Sequence, residues 1–196
     1  MGTKFSTRVW VSVVGIASIF FGSKGYADTV ISVADFGLKP DTRENAVAYV
    51  QKAIEACRGK EPVTLVFPEG RYDFWPQYAH EKNYYETNTY DVFPKRLAML
   101  FEGLHNITVD GNGSQFVMHD RIQPITVENC DGVTLKNFSI DWDIPLTAQA
   151  RVTKVGSDFF EIEINVLESP YIIEDGKLVF VGEGWKSCLL YTSDAA

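Results

Sequence analysis

The feature that most constrains this chain is an internal repeat. Phe101-x-Gly103-x-x-Asn106-Ile107-Thr108-Val109-Asp110-Gly111 aligns with Val127-x-Asn129-x-x-Gly132-Val133-Thr134-Leu135-Lys136-Asn137 at a constant offset of 26 residues. A β-rich period of this size points to a solenoid coil, in which each turn buries its apolar edge only against its neighbours. Within the second copy the side-chain parity shifts. Val133 and Leu135 share one parity, Asn137 interrupts, and Phe138, Ile140 and Trp142 continue on the other. A strand turning a corner around an enclosed core requires that shift, and asparagine tolerates the left-handed backbone that a corner needs. A flat sandwich sheet would keep its parity or break with a longer loop. The spacing therefore predicts an all-β chain folded as a right-handed parallel β-helix.

The flanking segments fit that frame. Thr29 to Val33 reads as a short strand, and a helix follows over Thr42 to Cys57. Asp41-x-x-Glu44 has the form of a capping box, and Ala46, Val47, Val50, Ala53, Ile54 and Cys57 repeat at helical spacing, with Gly59 just beyond. Such a helix would cover the open N-terminal end of the coils, where unpaired strand edges must be protected. Val63 to Phe67 is apolar on both faces, as in a buried parallel sheet, and Arg71 to Phe74 reads as a further short strand. From Leu146 the pattern becomes antiparallel. Ala150-x-Val152 and Phe160-x-Ile162-x-Ile164-x-Val166 alternate around Gly156-Ser157-Asp158, a hairpin signature, and Leu178 to Val181 adds a strand after Asp175-Gly176. The organisation expected is coils over 28–145 and an inserted antiparallel β-subdomain over 146–186.

Both ends carry their own signals. Lys4 and Arg8 precede the apolar run Val9 to Phe21, too short for a membrane span but suited to a signal sequence, and Gly25-Tyr26-Ala27 supplies small residues for cleavage after Ala27. An exported protein, periplasmic or secreted and of bacterial origin, is the expectation, with 1–27 removed and no membrane span. The last ten residues, 187–196, resemble the translation of a sequencing-adapter read-through, so the native gene is expected to continue past Lys186. Coils missing there would leave Phe138 and Ile140 on an open β edge. The 196 residues hold 26 acidic and 18 basic side chains, and three of the basic ones lie in the leader. A mature surface so negative repels phosphates, which makes nucleic acid a poor partner. With Cys188 in the suspect tail, Cys57 and Cys130 are too few for a disulfide framework and read as small buried hydrophobes.

The segments Val33-x-Asp35-Phe36-Gly37, Asp41, Gln51-x-Ala53-Ile54-x-Ala56 and Pro68-x-Gly70-x-Tyr72 resemble the start of pectate-lyase-like β-helix carbohydrate enzymes. Tyr72-Asp73-Phe74-Trp75, Glu81-Lys82, Tyr84-Tyr85 and Asn137-Phe138-Ser139-Ile140-Asp141-Trp142-Asp143-x-Pro145 narrow the likeness. Together they resemble glycoside hydrolase family 110, the bacterial α-1,3-galactosidases, over residues 29 to 186 and an early portion of such an enzyme. The resemblance implies exo-removal of terminal α-1,3-linked galactose from glycans, with inversion at the anomeric carbon and no cofactor. Inversion needs two carboxyl groups roughly 6.5–9.5 Å apart, one to protonate the leaving oxygen and one to activate water. The resemblance places those acids on later coils, so no catalytic residue is assigned here. Two other classes stay open: another β-helix carbohydrate enzyme, a polygalacturonase or polysaccharide lyase, or a non-catalytic β-helix glycan binder or adhesin. A lyase usually needs Ca²⁺ and basic groups to neutralise a uronate, and no cluster of acids and lysines here provides them.

Four residues are candidates for substrate contact. Asp141 and Asp143 flank Trp142, so in a strand both carboxylates face one way and the indole the other. That suits a sugar-binding corner, although a core Trp142 between solvated acids explains the triplet equally well. Trp75 opens a loop to Arg96 that also carries Tyr78, Tyr84, Tyr85, Tyr90 and Phe93. Aromatic faces stack on the C–H face of galactose, and clamping of the loop onto the coil is the plainer alternative. Arg121, in His119-Asp120-Arg121, could fork onto hydroxyls, against the commoner outcome of an exposed ion pair at a turn. His80 and His105 lack metal-ligand spacing, so no metal site is expected. Gly111-x-Gly113 has no helix after it and reads as a turn, not a phosphate cradle.

Overall fold

The computed structural model describes residues 29–84 and 94–188. The expected leader, the loop aromatics Tyr85, Tyr90 and Phe93, and all of the expected foreign tail except Ser187 and Cys188 lie outside these residues. Among the described residues the order is β1 (Thr29–Ser32), a 3₁₀ turn (Val33–Phe36), α1 (Val47–Ala56), β2 (Val63–Val66), β3 (Arg71–Phe74), β4 (His80–Lys82), β5 (Lys95–Glu102) and β6 (His105–Met118). It continues through β7 (Gln123–Glu128), β8 (Asp131–Trp142), β9 (Arg151–Val155), β10 (Phe160–Glu163), β11 (Tyr171–Glu174), β12 (Lys177–Gly182) and β13 (Trp185–Cys188). The described residues are mostly strand, with one α-helix among them. No described helix is long and apolar enough to cross a membrane.

The 26-residue offset is a strand register. Ile107 lies opposite Val133 and Phe101 opposite Val127, so β6 stacks on β8 and β5 on β7, in parallel. The same stack extends backwards: β1 pairs with β2 and β2 with the first half of β6, placing Ile31, Leu65, Val109 and Leu135 in one row. β3 pairs with the second half of β6, with Tyr72 opposite Phe116 and Phe116 opposite Ile140. Between the two halves the register jumps, from Asp110 opposite Lys136 to Ser114 opposite Phe138. Gly111-Asn112-Gly113 in β6 therefore faces Asn137 alone. Asn137 (φ 59°), Asn112 (φ 49°) and Gly113 (φ 84°) are all left-handed, the backbone expected at a corner. The Asn137 amide ties that corner to the Asp110 carboxylate at 3.0 Å. Gly111 is required for a different reason, because a Cβ there would sit 2.5 Å from that of Phe138.

Phe67, Tyr72, Phe74 and Phe116 form the centre of the core, with Phe67 and Phe116 ring centroids 4.7 Å apart. Each such side chain contributes about 1.5–3 kcal/mol by burial. Phe138, expected on an open edge, is half-buried and stacks on Phe116 at 4.7 Å, while Ile140 is 38% exposed. From α1 the chain buries Val47, Val50, Ala53 and Ile54 against this core. Burial pushes the Cys57 thiol up to about 11; both cysteines are free, Cys57 buried as expected and Cys130 only half-buried.

The helix is shorter than the 42–57 expected. Asp41 and Arg43 both have φ of 61°, which no helix admits. Asp41 is held by β3 instead: its amide donates to the Arg71 carbonyl and its carboxylate accepts from the Arg71 amide, each at 2.9 Å. The capping role falls to Asn45, whose Oδ1 accepts from the Val47 amide at 3.1 Å. A capping box does form, at Ser32 and Asp35 around the 3₁₀ turn. Beyond β8 all pairing is antiparallel, β9 with β10 and β11 with β12 with β13.

Candidate functional site

The strongest concentration of chemistry lies where three parallel strands end side by side. Phe74, Met118 and Trp142 are register partners, and the ladder runs one residue further: the His119 amide donates to the Phe74 carbonyl (2.9 Å) and the Asp143 amide to the Met118 carbonyl (3.1 Å). Trp75, His119 and Asp143 consequently form one row across three rungs. The Trp75 and His119 rings stack with centroids 3.8 Å apart and planes within 7°. Strand alternation sends Tyr72 and Phe74 into the core and turns Arg71 and Asp73 towards this row.

Asp73 and His119 are buried, 1% and 2% exposed. His119 Nε2 lies 2.8 Å from Asp73 Oδ1, and Nδ1 lies 2.8 Å from Glu183 Oε1. A neutral imidazole donates from one nitrogen only, so both contacts are hydrogen bonds when the three side chains together hold one further proton. Arg71 grips Asp73 through Nε (3.0 Å) and Nη2 (2.6 Å) and reaches Asp143 Oδ1 at 2.6 Å. Burial works to raise the Asp73 carboxyl, but the hydrogen bonds from Arg71 and His119 outweigh it and hold the group below the usual carboxylate range. The Arg71 guanidinium is shifted up in turn, chiefly by its hydrogen bond to Asp73. Arg43 lies 3.6 Å from Asp143.

Glu183 comes from the turn between β12 and β13. Its carboxylate also accepts from the Asp120 amide at 3.1 Å, and Arg121 Nη2 donates to the Gly184 carbonyl at 3.3 Å. These contacts fasten the antiparallel sheet to the strand ends. The fit is close, since a Cβ on Gly184 would fall 2.3 Å from the Asp120 carboxylate.

Of the four candidates from sequence, Trp75 and Asp143 lie in the cluster, and Arg121 lies beside it holding a backbone carbonyl. Asp141 is apart, exposed, with its carboxylate accepting from the Trp142 amide at 2.8 Å. Trp142 is half-buried against the core and donates Nε1–H to the Asp120 carbonyl at 3.1 Å. His119 is enclosed by two carboxylates and an indole. Arg71, Asp73 and Glu183 were not singled out. Three quoted motifs touch the site: Tyr72-Asp73-Phe74-Trp75, His119-Asp120-Arg121, and the Asn137 to Pro145 run through Asp143.

Ligand atoms of His119, Asp143 and Glu183 lie within 4.8 Å of one another, a grouping that sequence spacing does not reveal. Their valences are already spent: both imidazole nitrogens face carboxylates, and Arg71 and Arg43 neutralise Asp143. A cation would have to displace a guanidinium. A second set of acids, Glu102 and Glu128, are register partners bridged by Lys82 Nζ at 2.6 and 2.8 Å, and Tyr84 donates to Glu128. Hydrogen bonds from Lys82 and Tyr84 hold Glu128 below the usual carboxylate range. Among the described residues, the carboxyls with a clear shift, Asp73, Asp110 and Glu128, are all shifted down. A general acid needs the opposite displacement.

Comparison with known proteins adds family relationships. Residues 148–193 match the family described as GLAA-B beta-barrel domain I. The chain is 62% identical over 163 residues to the α-1,3-galactosidase B of Bacteroides thetaiotaomicron, covering 83% of this chain and 26% of that protein. It is 37% identical over 158 residues to the α-1,3-galactosidase A of Shewanella woodyi, covering 80% of this chain and 26% of that protein. An α-1,3-galactosidase B of Phocaeicola vulgatus is 36% identical over 183 residues, covering 91% of this chain and 29% of that protein. The chain spans between a quarter and a third of the length of these curated relatives. The family resemblance drawn from its motifs is borne out.

Proposed function

We propose that this chain, a homologue of the bacterial α-1,3-galactosidases, is part of an exo-acting, inverting glycoside hydrolase that removes terminal α-1,3-linked galactose from glycans. The observation that carries the reading is the 62% identity extending over 83% of the chain. The parallel rows of β1, β2, β6 and β8 and of β5 and β7 support a right-handed parallel β-helix as its frame, with α1 over the N-terminal end. The leader-like start supports export to the periplasm or beyond. The acid and base of inversion are proposed to lie in parts of the relatives that this chain does not span. Its own contribution is a rigid rim for the sugar: Trp75 is held flat by His119, Asp143 is oriented by Arg71, and Arg121 lies at the edge, with Asp141 apart from it.

A chimera tests this. Residues 28–186 replace the aligned segment of the B. thetaiotaomicron relative, and the product is assayed on an α-1,3-linked galactobiose with NMR observation of the first anomer. The expected result is release of β-galactose by the chimera and none by residues 28–196 alone. A folded chimera that releases no galactose, or one that releases the α-anomer first, overturns the proposal.

A further inference from the structure

On the outward face of α1 lies a cavity of about 360 Å³ lined by Glu44, Asn45, Ala48, Tyr49, Lys52 and Tyr78. Apart from Asn45, which bonds the Trp75 backbone, none of these residues takes part in the cluster at the strand ends. Tyr78 is 75% exposed and adopts φ of 68°, a left-handed conformation that a bulky residue holds only when its surroundings impose it. The surroundings here are two amides. Asn45 Nδ2 donates to the Gln77 carbonyl at 2.9 Å and the Trp75 carbonyl at 3.4 Å, while its Oδ1 accepts from the amides of Val47 and Trp75 at 3.1 and 3.2 Å. Gln51 Nε2 donates to the Tyr78 carbonyl at 2.9 Å. Asn45 is thereby satisfied on both sides, and the segment Trp75 to Tyr78 is strapped to the helix so that the Tyr78 side chain is presented over the cavity rather than packed into the core.

The second aromatic, Tyr49, is half-buried and packs against the core. The Tyr49 ring lies over Gly37, where a Cβ would be 3.6 Å from the ring. The two charged groups of the cavity are uncommitted: among the described residues neither the Glu44 carboxylate nor the Lys52 ammonium is in an ion pair. Two aromatic faces, an acceptor and a cationic donor around an open space are the chemistry that a pyranose requires, apolar C–H faces against the rings and vicinal hydroxyls towards the charges. Glu44 and Lys52 balance each other, so the site offers no net charge to a phosphate or uronate, and a purely apolar ligand would leave both desolvated without partners. We propose that this cavity is a binding site for a neutral hexopyranose of a glycan chain, with Tyr78 and Tyr49 stacking on the sugar and Glu44 and Lys52 orienting it. The proposal concerns binding only and stands independently of the hydrolytic reading.

Saturation-transfer NMR on the full chain, with methyl α-galactopyranoside and methyl β-glucopyranoside as separate probes, tests it. Transfer to ring C–H protons of at least one glycoside is expected, with affinity roughly three- to tenfold weaker in Tyr78→Ala and retained in Tyr78→Phe. Tyr78→Gly relieves the backbone conformation while removing the ring, so loss in this variant with an unchanged melting temperature separates a binding role from a folding role. Lys52→Met is expected to weaken binding without touching the aromatic pair. Absence of transfer to either glycoside, or undiminished transfer in both Tyr78→Ala and Lys52→Met, overturns the proposal.

Discussion

Replacing Asp73 by alanine isolates the centre of the strand-end cluster. The carboxylate is buried and accepts from Arg71 Nε and Nη2 and from His119 Nε2, all at 3.0 Å or less. Removing it strands a guanidinium and an imidazole that were assembled around a negative charge. Breaking a buried ion pair from one side costs about 3–5 kcal/mol. Arg71 is 23% exposed and keeps Asp143 at 2.6 Å, which places the cost at the lower end, about 3 kcal/mol. For a chain of this size that corresponds to a fall in Tm of about 6–12 °C, read by circular dichroism or calorimetry at pH 7. The pH dependence adds a signature. The folded-state Asp73 carboxyl is held below its ordinary value, so its stabilisation is fully present above about pH 3.9 and is lost as the pH falls through the lowered folded value. The gap between wild type and Asp73→Ala should therefore narrow on acidification below that range. A Tm loss under about 2 °C at pH 7, or a gap that stays constant into strong acid, would refute the account of Asp73 as the anion around which Arg71 and His119 are organised.

Glu183→Gln keeps the shape of the side chain but removes the charge facing His119, and should cost about 1–2 kcal/mol, with faster amide exchange in β12 and β13 than in β6. Unchanged exchange there would mean that the antiparallel sheet is held to the strand ends by something else. Gly111→Ala forces a Cβ against Phe138 Cβ and the Asn137 carbonyl, 2.5 and 2.7 Å away, and should destabilise by about 1–3 kcal/mol in a denaturant titration. A neutral outcome would show that the corner between the two halves of β6 can relax.

The sequence by itself determined the 26-residue strand period and the corner at Asn137. Ile107 and Val133 repeat at the spacing that makes them neighbours, and Asn137 marks the left-handed corner because few other residues adopt that backbone without strain. These are local or strictly periodic properties, and one chain displays both. The family resemblance was legible for a similar reason, resting on short contiguous motifs. What the tertiary structure decided is everything that crosses a broken period. β3 pairs with β6 at an offset of 44 residues, not 26, because the loop after Trp75 is inserted between them, so nothing in the repeat places Trp75 beside His119. Glu183 reaches His119 from an antiparallel turn 64 residues away. Arg71 meets Asp143 across 72 residues. The start of α1 was misread on the same grounds: the pattern Asp41-x-x-Glu44 is sound as local chemistry, but β3 offers Asp41 a backbone partner in Arg71, and that pairing imposes the left-handed turn that delays the helix to Val47.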